Sequence, residues 1–100
     1  MSAEALGAPV LPRLVVFYAE RSGKSRRVDG YLSQVLQRRG NHDAFRVHRV
    51  EVDQHPELVH RFGIDEVPTL VVVDGNRVSG RLVSPRGCRD IELLLRPWLR

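Results

Sequence analysis

The run Leu14-Val15-Val16-Phe17-Tyr18-Ala19 constrains the fold most strongly, because it is continuously apolar and rich in β-branched and aromatic residues. A strand with one face in solvent alternates polar and apolar residues, whereas an unbroken apolar run is typical of a strand buried on both faces. Such a strand needs a covered sheet around it. We therefore expect this segment to lie in the middle of a sheet that carries helices on both faces.

Apolar spacing predicts two helices in the middle of the chain. Between Ser25 and Arg39, apolar residues recur at the interval of one helix face, and Gly40 is expected to end that helix. The residues of this face are Val28, Tyr31, Leu32, Val35 and Leu36. A shorter helix is predicted to begin at Pro56, because proline suits the first helical turn, and to close at Gly63.

Three more strands are predicted. Phe45 to Asp53 mixes polar and apolar residues, which favours a position at the edge of the sheet. Thr69 to Val73 is a second continuous apolar run and indicates another strand buried on both faces. Asp74-Gly75-Asn76 is a strong hairpin signal, so the following strand, Arg77 to Val83, is expected to pair antiparallel with it.

The order of the elements then predicts the architecture. A last helix is expected from about Cys88, with Pro97 ending or kinking it. The order β-α-β-α-β-β-α, with a right-handed crossover between the first two strands, gives an α/β fold with a four-stranded mixed sheet and helices on both faces. Residues 1–12 lack periodicity and are expected to be a flexible arm before a domain of residues 13–100.

Length and charge narrow the function classes. The chain has 100 residues, enough for one domain, and no segment approaches the ~20 apolar residues that span a membrane. The stretch from Met1 to Pro12 has neither the basic nor the continuous apolar region of a secretory signal, so a cytoplasmic location is expected. The formal net charge is +4, but the basic residues are scattered, which is more typical of solvated faces than of a nucleic-acid track. The one local basic cluster consists of Arg21, Lys24, Arg26 and Arg27.

Cysteine and histidine usage makes a metal site or another cofactor unexpected. The single cysteine, Cys88, excludes an intramolecular disulfide and a cysteine-based metal site. The four histidines lack the regular close spacing of a zinc motif and are expected at the surface or half-buried. They are His42, His48, His55 and His60.

Two stretches of the chain resemble the thioredoxin family. The first reads VDQHPEL from Val52 to Leu58 and RFGIDEVPTL from Arg61 to Leu70. The second reads FYAERSGKSR from Phe17 to Arg26. It is similar to the family's active-site segment, an aromatic-aromatic-Ala-x-Trp-Cys-Gly-Pro-Cys run at a strand-to-helix turn. The two stretches lie at the family's separation, so the resemblance covers roughly residues 14 to 99.

The resemblance implies a groove for an extended peptide. It places a cis peptide bond at Val67-Pro68, facing the turn from Ser22 to Ser25, and lets the backbone there pair with the bound segment. The Ser84-Pro85 loop is expected to complete the groove. The residues expected at the groove are Tyr18, Arg21, Ser22, Gly23, Lys24, Ser25, Val67, Pro68, Thr69 and Ser84.

The same comparison shows where this chain departs from the family's pattern. Ser22 and Ser25 occupy both positions of the redox-active cysteine pair, and a serine hydroxyl neither forms a disulfide nor ionises near neutral pH. Val16 stands where many family members carry a buried acid. Arg21 replaces a tryptophan, and Lys24 replaces the proline between the cysteines. The resemblance therefore implies a site that has exchanged redox chemistry for polar, cationic contact.

The front of the chain is also expected to differ from a full-length family member. Only 13 residues precede Leu14, too few for the strand and helix that come before the central strand there. The strand over residues 45–53 is then expected to have an unpaired edge, which its charges protect from aggregation and which is able to accept a partner strand.

Three functions stand as alternatives. The first is a redox-inactive module, not an enzyme, that binds a protein or an extended peptide segment in the groove. The second is a thiol-disulfide oxidoreductase that acts through Cys88 near the start of the last helix, with a thiol supplied from outside. The third is an anion site where a helix begins at Ser22 to Ser25, directly after a buried strand. A true nucleotide-binding loop is not expected, because Tyr18 occupies a position that requires glycine.

Overall fold

The computed structural model describes residues 11–99 and contains four strands and three helices. Two short 3-10 segments follow the first and last helices, at Arg38–Asp43 and Arg96–Trp98. The strands are β1 (Arg13–Tyr18), β2 (Arg46–Glu51), β3 (Thr69–Asp74) and β4 (Arg77–Val83). The helices are α1 (Gly23–Gln37), α2 (Pro56–Phe62) and α3 (Cys88–Leu95).

The sheet has the strand order β2-β1-β3-β4. β1 runs parallel to β2 and antiparallel to β3, while β3 and β4 form an antiparallel hairpin with one irregularity in register between Val72 and Val73. Gly75 adopts a φ of 64° in the hairpin turn, a left-handed conformation that favours glycine. The mixed four-stranded sheet, the central position of β1 and the edge position of β2 are confirmed.

β1 supplies side chains to two separate cores, one on each face of the sheet. Leu14 and Val16 belong to the larger core, which has ten buried residues and includes side chains from α1 and α3. Val15 and Phe17 belong to a smaller core of four buried residues, against which α2 packs. The rings of Phe17 and Phe62 lie 5.4 Å apart between their centroids. The alternation explains why no residue from Leu14 to Phe17 is polar.

The helix α2 has the ends that the sequence predicts. Pro56 lies in its first turn, and Gly63 ends it with a φ of 63°. A further contact was not predicted: the guanidinium of Arg81, on β4, donates hydrogen bonds to the carbonyl oxygens of Phe62 and Gly63. These carbonyls belong to the helix end, where partners within the helix are missing, so Arg81 ties α2 to the sheet.

Two predicted elements have wrong boundaries. The first helix is displaced by two residues at both ends, and the second strand ends two residues early. The first helix begins at Gly23 and ends at Gln37, because Arg38 turns to an extended backbone and both Arg39 and Gly40 have positive φ values. The second strand ends at Glu51 rather than at Asp53, because the Glu51 carboxylate accepts a hydrogen bond from the backbone N–H of Asp53 and turns the chain.

The predicted division into an arm and a domain falls mostly on residues 1–10, which lie outside the described residues. Pro12 is buried, and its carbonyl oxygen accepts a hydrogen bond of 2.9 Å from the backbone N–H of Arg46. Backbone contact between the first two strands therefore begins at Pro12. No helix within residues 11–99 is long and apolar enough to cross a bilayer.

Two leucines of α3 test how far the larger core stabilises the domain. Leu95 is fully buried and Leu93 is 49% exposed. We expect Leu95→Ala to lower the free energy of unfolding by about 2–5 kcal/mol, because it leaves a cavity. Leu93→Ala, the matched control on the same helix, is expected to change it by less than about 1 kcal/mol. Urea unfolding followed by far-ultraviolet circular dichroism measures both, and equal losses would contradict the assignment of the core.

Candidate functional site

The turn between β1 and α1 is closed by Ser22. Its backbone N–H donates to the carbonyl oxygen of Ala19 at 3.0 Å, and its Oγ accepts from the backbone N–H of Ser25 at 3.2 Å. With an extended backbone, Ser22 is the N-cap of α1. Serine is among the preferred residues there, because its oxygen satisfies an N–H group that has no partner within the helix. The hydroxyl therefore has a structural role at the position where the resemblance places a sulfur.

Ser25 is a buried residue in the first turn of α1. It is only 4% exposed, and its Oγ accepts a hydrogen bond of 3.2 Å from the backbone N–H of Ala19. The two hydroxyls thus join the end of β1 to the first turn of α1 through backbone N–H groups. In residues 11–99 no buried side-chain nitrogen or oxygen lacks a hydrogen-bond partner. Both serine side chains therefore take part in the hydrogen bonding that holds the turn.

A buried carboxylate supports the turn from the side of β2. Glu51 is 7% exposed, and its Oε2 accepts from the backbone N–H of Glu20 at 3.1 Å. Its other oxygen accepts from Asp53, as described above. Arg21 lies over this region in a shallow depression, and the side chains around it are largely acidic. The depression is lined by Ala19, Glu20, Arg21, Glu51, Asp53 and Gln54.

A groove of about 470 Å³ opens on the other side of the turn. Three segments form its walls: the first three turns of α1, the loop before β3, and the loop between β4 and α3. It is lined by Lys24, Arg27, Tyr31, Glu66, Val83, Ser84, Pro85 and Arg86. We call this surface the groove.

The loop between β4 and α3 is fixed against the start of β3. The backbone N–H of Ser84 donates to the carbonyl oxygen of Pro68 at 2.8 Å. Ser84 has a φ of 47°, a left-handed conformation that is uncommon for a residue with a side chain. The peptide bond between Val67 and Pro68 is cis. These contacts place the backbone before β3 beside the loop wall of the groove.

The structure brings some of the expected site residues together and separates others. Lys24 and Ser84 line the groove, whereas Arg21 lies in the depression beside Glu51. Thr69 is buried, with its hydroxyl donating to the carbonyl oxygen of Glu66 at 2.7 Å. Buried or half-buried positions are occupied by Tyr18, Ser22, Ser25, Val67 and Pro68, and Gly23 is exposed.

Sequence reasoning missed five side chains of the groove: Arg27, Tyr31, Glu66, Val83 and Arg86. Arg27 and Tyr31 follow Lys24 at the helical intervals i+3 and i+7, which place all three on one face of α1. The interval is a local signal for a shared face, but taken alone Tyr31 fits the apolar stripe of α1 and Arg27 fits the basic cluster. Arg86 comes from a distant loop, and only the fold brings it to the groove.

Family comparison covers nearly the whole chain. The thioredoxin family model matches residues 4–96. The chain belongs to the thioredoxin family. Thioredoxin from Streptomyces clavuligerus is 30% identical over 86 residues, which are 86% of this chain and 75% of the relative. Thioredoxin from Alicyclobacillus acidocaldarius subsp. acidocaldarius is 30% identical over 84 residues, which are 84% of this chain and 78% of the relative.

Solved structures agree on the thioredoxin fold. The crystal structure of Trxlp from Edwardsiella tarda EIB202 superposes with a TM-score of 0.76 at 19% identity. The match covers 100% of this chain and 96% of that one. At this identity the likeness concerns the fold alone.

The one thiol of this thioredoxin domain is remote from the serine turn. Cys88 is half-buried, and its Sγ lies 3.1 Å from Gln34 Oε1 and 3.7 Å from the carbonyl oxygen of Tyr31. Tyr31 follows Ser22 by nine residues, which corresponds to roughly 13 Å along a helix axis. Cys88 therefore packs against the middle of α1. Within residues 11–99, no group of three or more His, Cys, Asp or Glu side chains is arranged to hold a metal ion.

Removing either hydroxyl of the serine pair is expected to lower the free energy of unfolding measurably. Ser22→Ala removes the N-cap and should lower the free energy of unfolding by about 1 kcal/mol. Ser25→Ala leaves the N–H of Ala19 without its acceptor and should cost about 1–3 kcal/mol. Ser33→Ala, at an exposed position of α1, is the control and should stay within about 0.5 kcal/mol. Chemical unfolding measures these free energies. Equal values for all three variants would contradict the hydrogen-bonding roles of Ser22 and Ser25.

Proposed function

We propose that this thioredoxin-family domain is a redox-inactive module that binds an extended segment of a protein or peptide in its groove. The observation that carries this function is the arrangement at the turn. Both serine hydroxyls accept backbone hydrogen bonds there, and the groove beside them stays open. The turn thus has a stable form that needs no sulfur.

The cysteine count supports the loss of redox chemistry. Disulfide exchange within one chain needs two sulfurs, and this sequence contains only Cys88. The contacts of Cys88 with Tyr31 and Gln34 favour a packed side chain over a reacting thiol. A lone-thiol oxidoreductase is therefore the less favoured function.

The backbone before β3 supports the binding of an extended segment. Within residues 11–99, no turn or loop hydrogen bond involves the backbone N–H or C=O of Val67. Val67 is half-buried and lies next to Pro68, which the Ser84 loop holds in place. Unpaired backbone groups beside a groove can form hydrogen bonds with the backbone of an added strand. In this mode of binding, pockets hold the side chains of the added strand.

Peptide titration with a matched pair of variants tests the groove. Val83 lines the groove and is 46% exposed, and Val78 lies on the same strand outside it and is 48% exposed. We expect Val83→Gln to weaken the binding of extended fluorescein-labelled peptides by about threefold or more, because an apolar contact is lost. Val78→Gln should leave it unchanged. Fluorescence anisotropy gives both affinities, and equal effects of the two variants would argue against the groove.

An insulin-reduction assay tests the redox half of the function. With dithiothreitol present, the domain is expected to add nothing to the rate at which insulin precipitates. Cys88→Ser is expected to behave like the natural sequence. A faster rate that Cys88→Ser abolishes would establish the lone-thiol oxidoreductase instead.

A further inference from the structure

We propose that the segment held in the groove is acidic, and that its carboxylates lie between Lys24, Arg27 and Arg86. This inference rests on the proposed function and names the class of segment. Three cations line the groove against a single carboxylate, that of Glu66. A surface of this charge attracts carboxylates and disfavours basic segments.

The three cations are available to a ligand. Lys24, Arg27 and Arg86 are exposed. Within residues 11–99, the ion pairs join Arg38 to Glu92, Arg49 to Asp29, and His55 to Glu57, so none of them engages a cation of the groove. The loop residue Arg86 uses its backbone N–H, not its guanidinium, to reach Asp90.

Two of these cations, Lys24 and Arg27, lie on α1 at a place that is unfavourable for the helix alone. The N-terminus of a helix carries a partial positive charge, so carboxylates stabilise its first turn and cations destabilise it. α1 has no acidic residue in its first turn, while three of the four residues after Gly23 are the cations Lys24, Arg26 and Arg27. The first acid of the helix, Asp29, pairs with Arg49 on β2, away from the groove. A bound carboxylate would offset this local excess of positive charge.

The apolar residues of the groove place a second requirement on the bound segment, which must also supply apolar side chains. Tyr31, Val83 and Pro85 line the groove together with the cations. In an extended segment, neighbouring side chains point to opposite sides, and every second one points the same way. A segment that alternates acidic and apolar residues therefore presents a row of carboxylates on one side and apolar contacts on the other. Arginine is well suited to such carboxylates, because its guanidinium can bind both oxygens at once.

The test compares two peptides on the full chain. One is a fluorescein-labelled peptide in which glutamate and valine alternate, and the other has glutamine at every glutamate position. The variants are Arg27→Gln, Arg86→Gln and, as an exposed control outside the groove, Arg77→Gln. A single-stranded oligonucleotide serves as a third probe, since cations also attract phosphates.

We expect the acidic peptide to bind at least about tenfold more tightly than the amide peptide at low salt, and this preference to shrink as salt screens the charges. Arg27→Gln and Arg86→Gln should each weaken the acidic peptide by about threefold, the size of an exposed charge pair, and leave the amide peptide unchanged. Arg77→Gln should leave both affinities as they are.

Three results would overturn the inference. If both peptides bind equally and Val83→Gln weakens both, the groove binds peptides without a preference for acids, and the proposed function survives alone. If the oligonucleotide binds more tightly than the acidic peptide and depends on Arg27 and Arg86, the cations serve a nucleic acid. Absence of binding by either peptide would contradict the proposed function and the inference together.

Discussion

The burial of β1 on both faces is the constraint on which the rest of the domain depends. Its even-numbered residues Leu14 and Val16 enter the larger core, and its odd-numbered residues Val15 and Phe17 enter the smaller one. Hydrogen bonding to strands on both sides leaves β1 no freedom to shift, because a slip of one residue would exchange the two sets of side chains. The end of β1, and with it the serine turn, is therefore held at a fixed place at the end of the central strand.

The serine turn is stabilised by two hydroxyls, at positions where the family resemblance implies cysteines. Cysteine and serine are similar in size, but a hydroxyl oxygen accepts hydrogen bonds much better than a thiol sulfur. Ser22 uses this capacity to cap α1, and Ser25 uses it to bond the last residue before the turn. The buried Glu51 carboxylate binds two more backbone N–H groups on the other side. The turn is thus held by local polar contacts, and the groove beside it keeps its walls.

The fold followed from the sequence, and the site followed only in part. Continuous apolar runs, the Asp74-Gly75-Asn76 signal and the helical stripe on α1 are local patterns. Such patterns predicted the four strands, the three α-helices, the central position of β1 and the edge position of β2, but not the two 3-10 segments. The boundaries failed where a side chain redirects the backbone, as Glu51 does at the end of β2. The groove depends on residues far apart in sequence, and nothing local in Arg86 shows that it faces Lys24. The separation of Arg21 from the other cations likewise depends on which side of the turn each faces.

The unequal size of the two cores has a consequence for local opening of the domain. α1 and α3 rest on a core of ten buried residues, whereas α2 contributes no fully buried residue and covers a core of four. Elements with few buried contacts open locally, and the free energy of this opening is lower than that of unfolding the whole domain. We therefore expect α2 to open before α1 and α3, with the Phe17–Phe62 ring contact and the hydrogen bonds from Arg81 restraining it. Glu66, which lines the groove, lies four residues after the end of α2. One wall of the groove is therefore joined to the helix that has no buried residue, and the opposite wall lies on α1, which packs on the larger core.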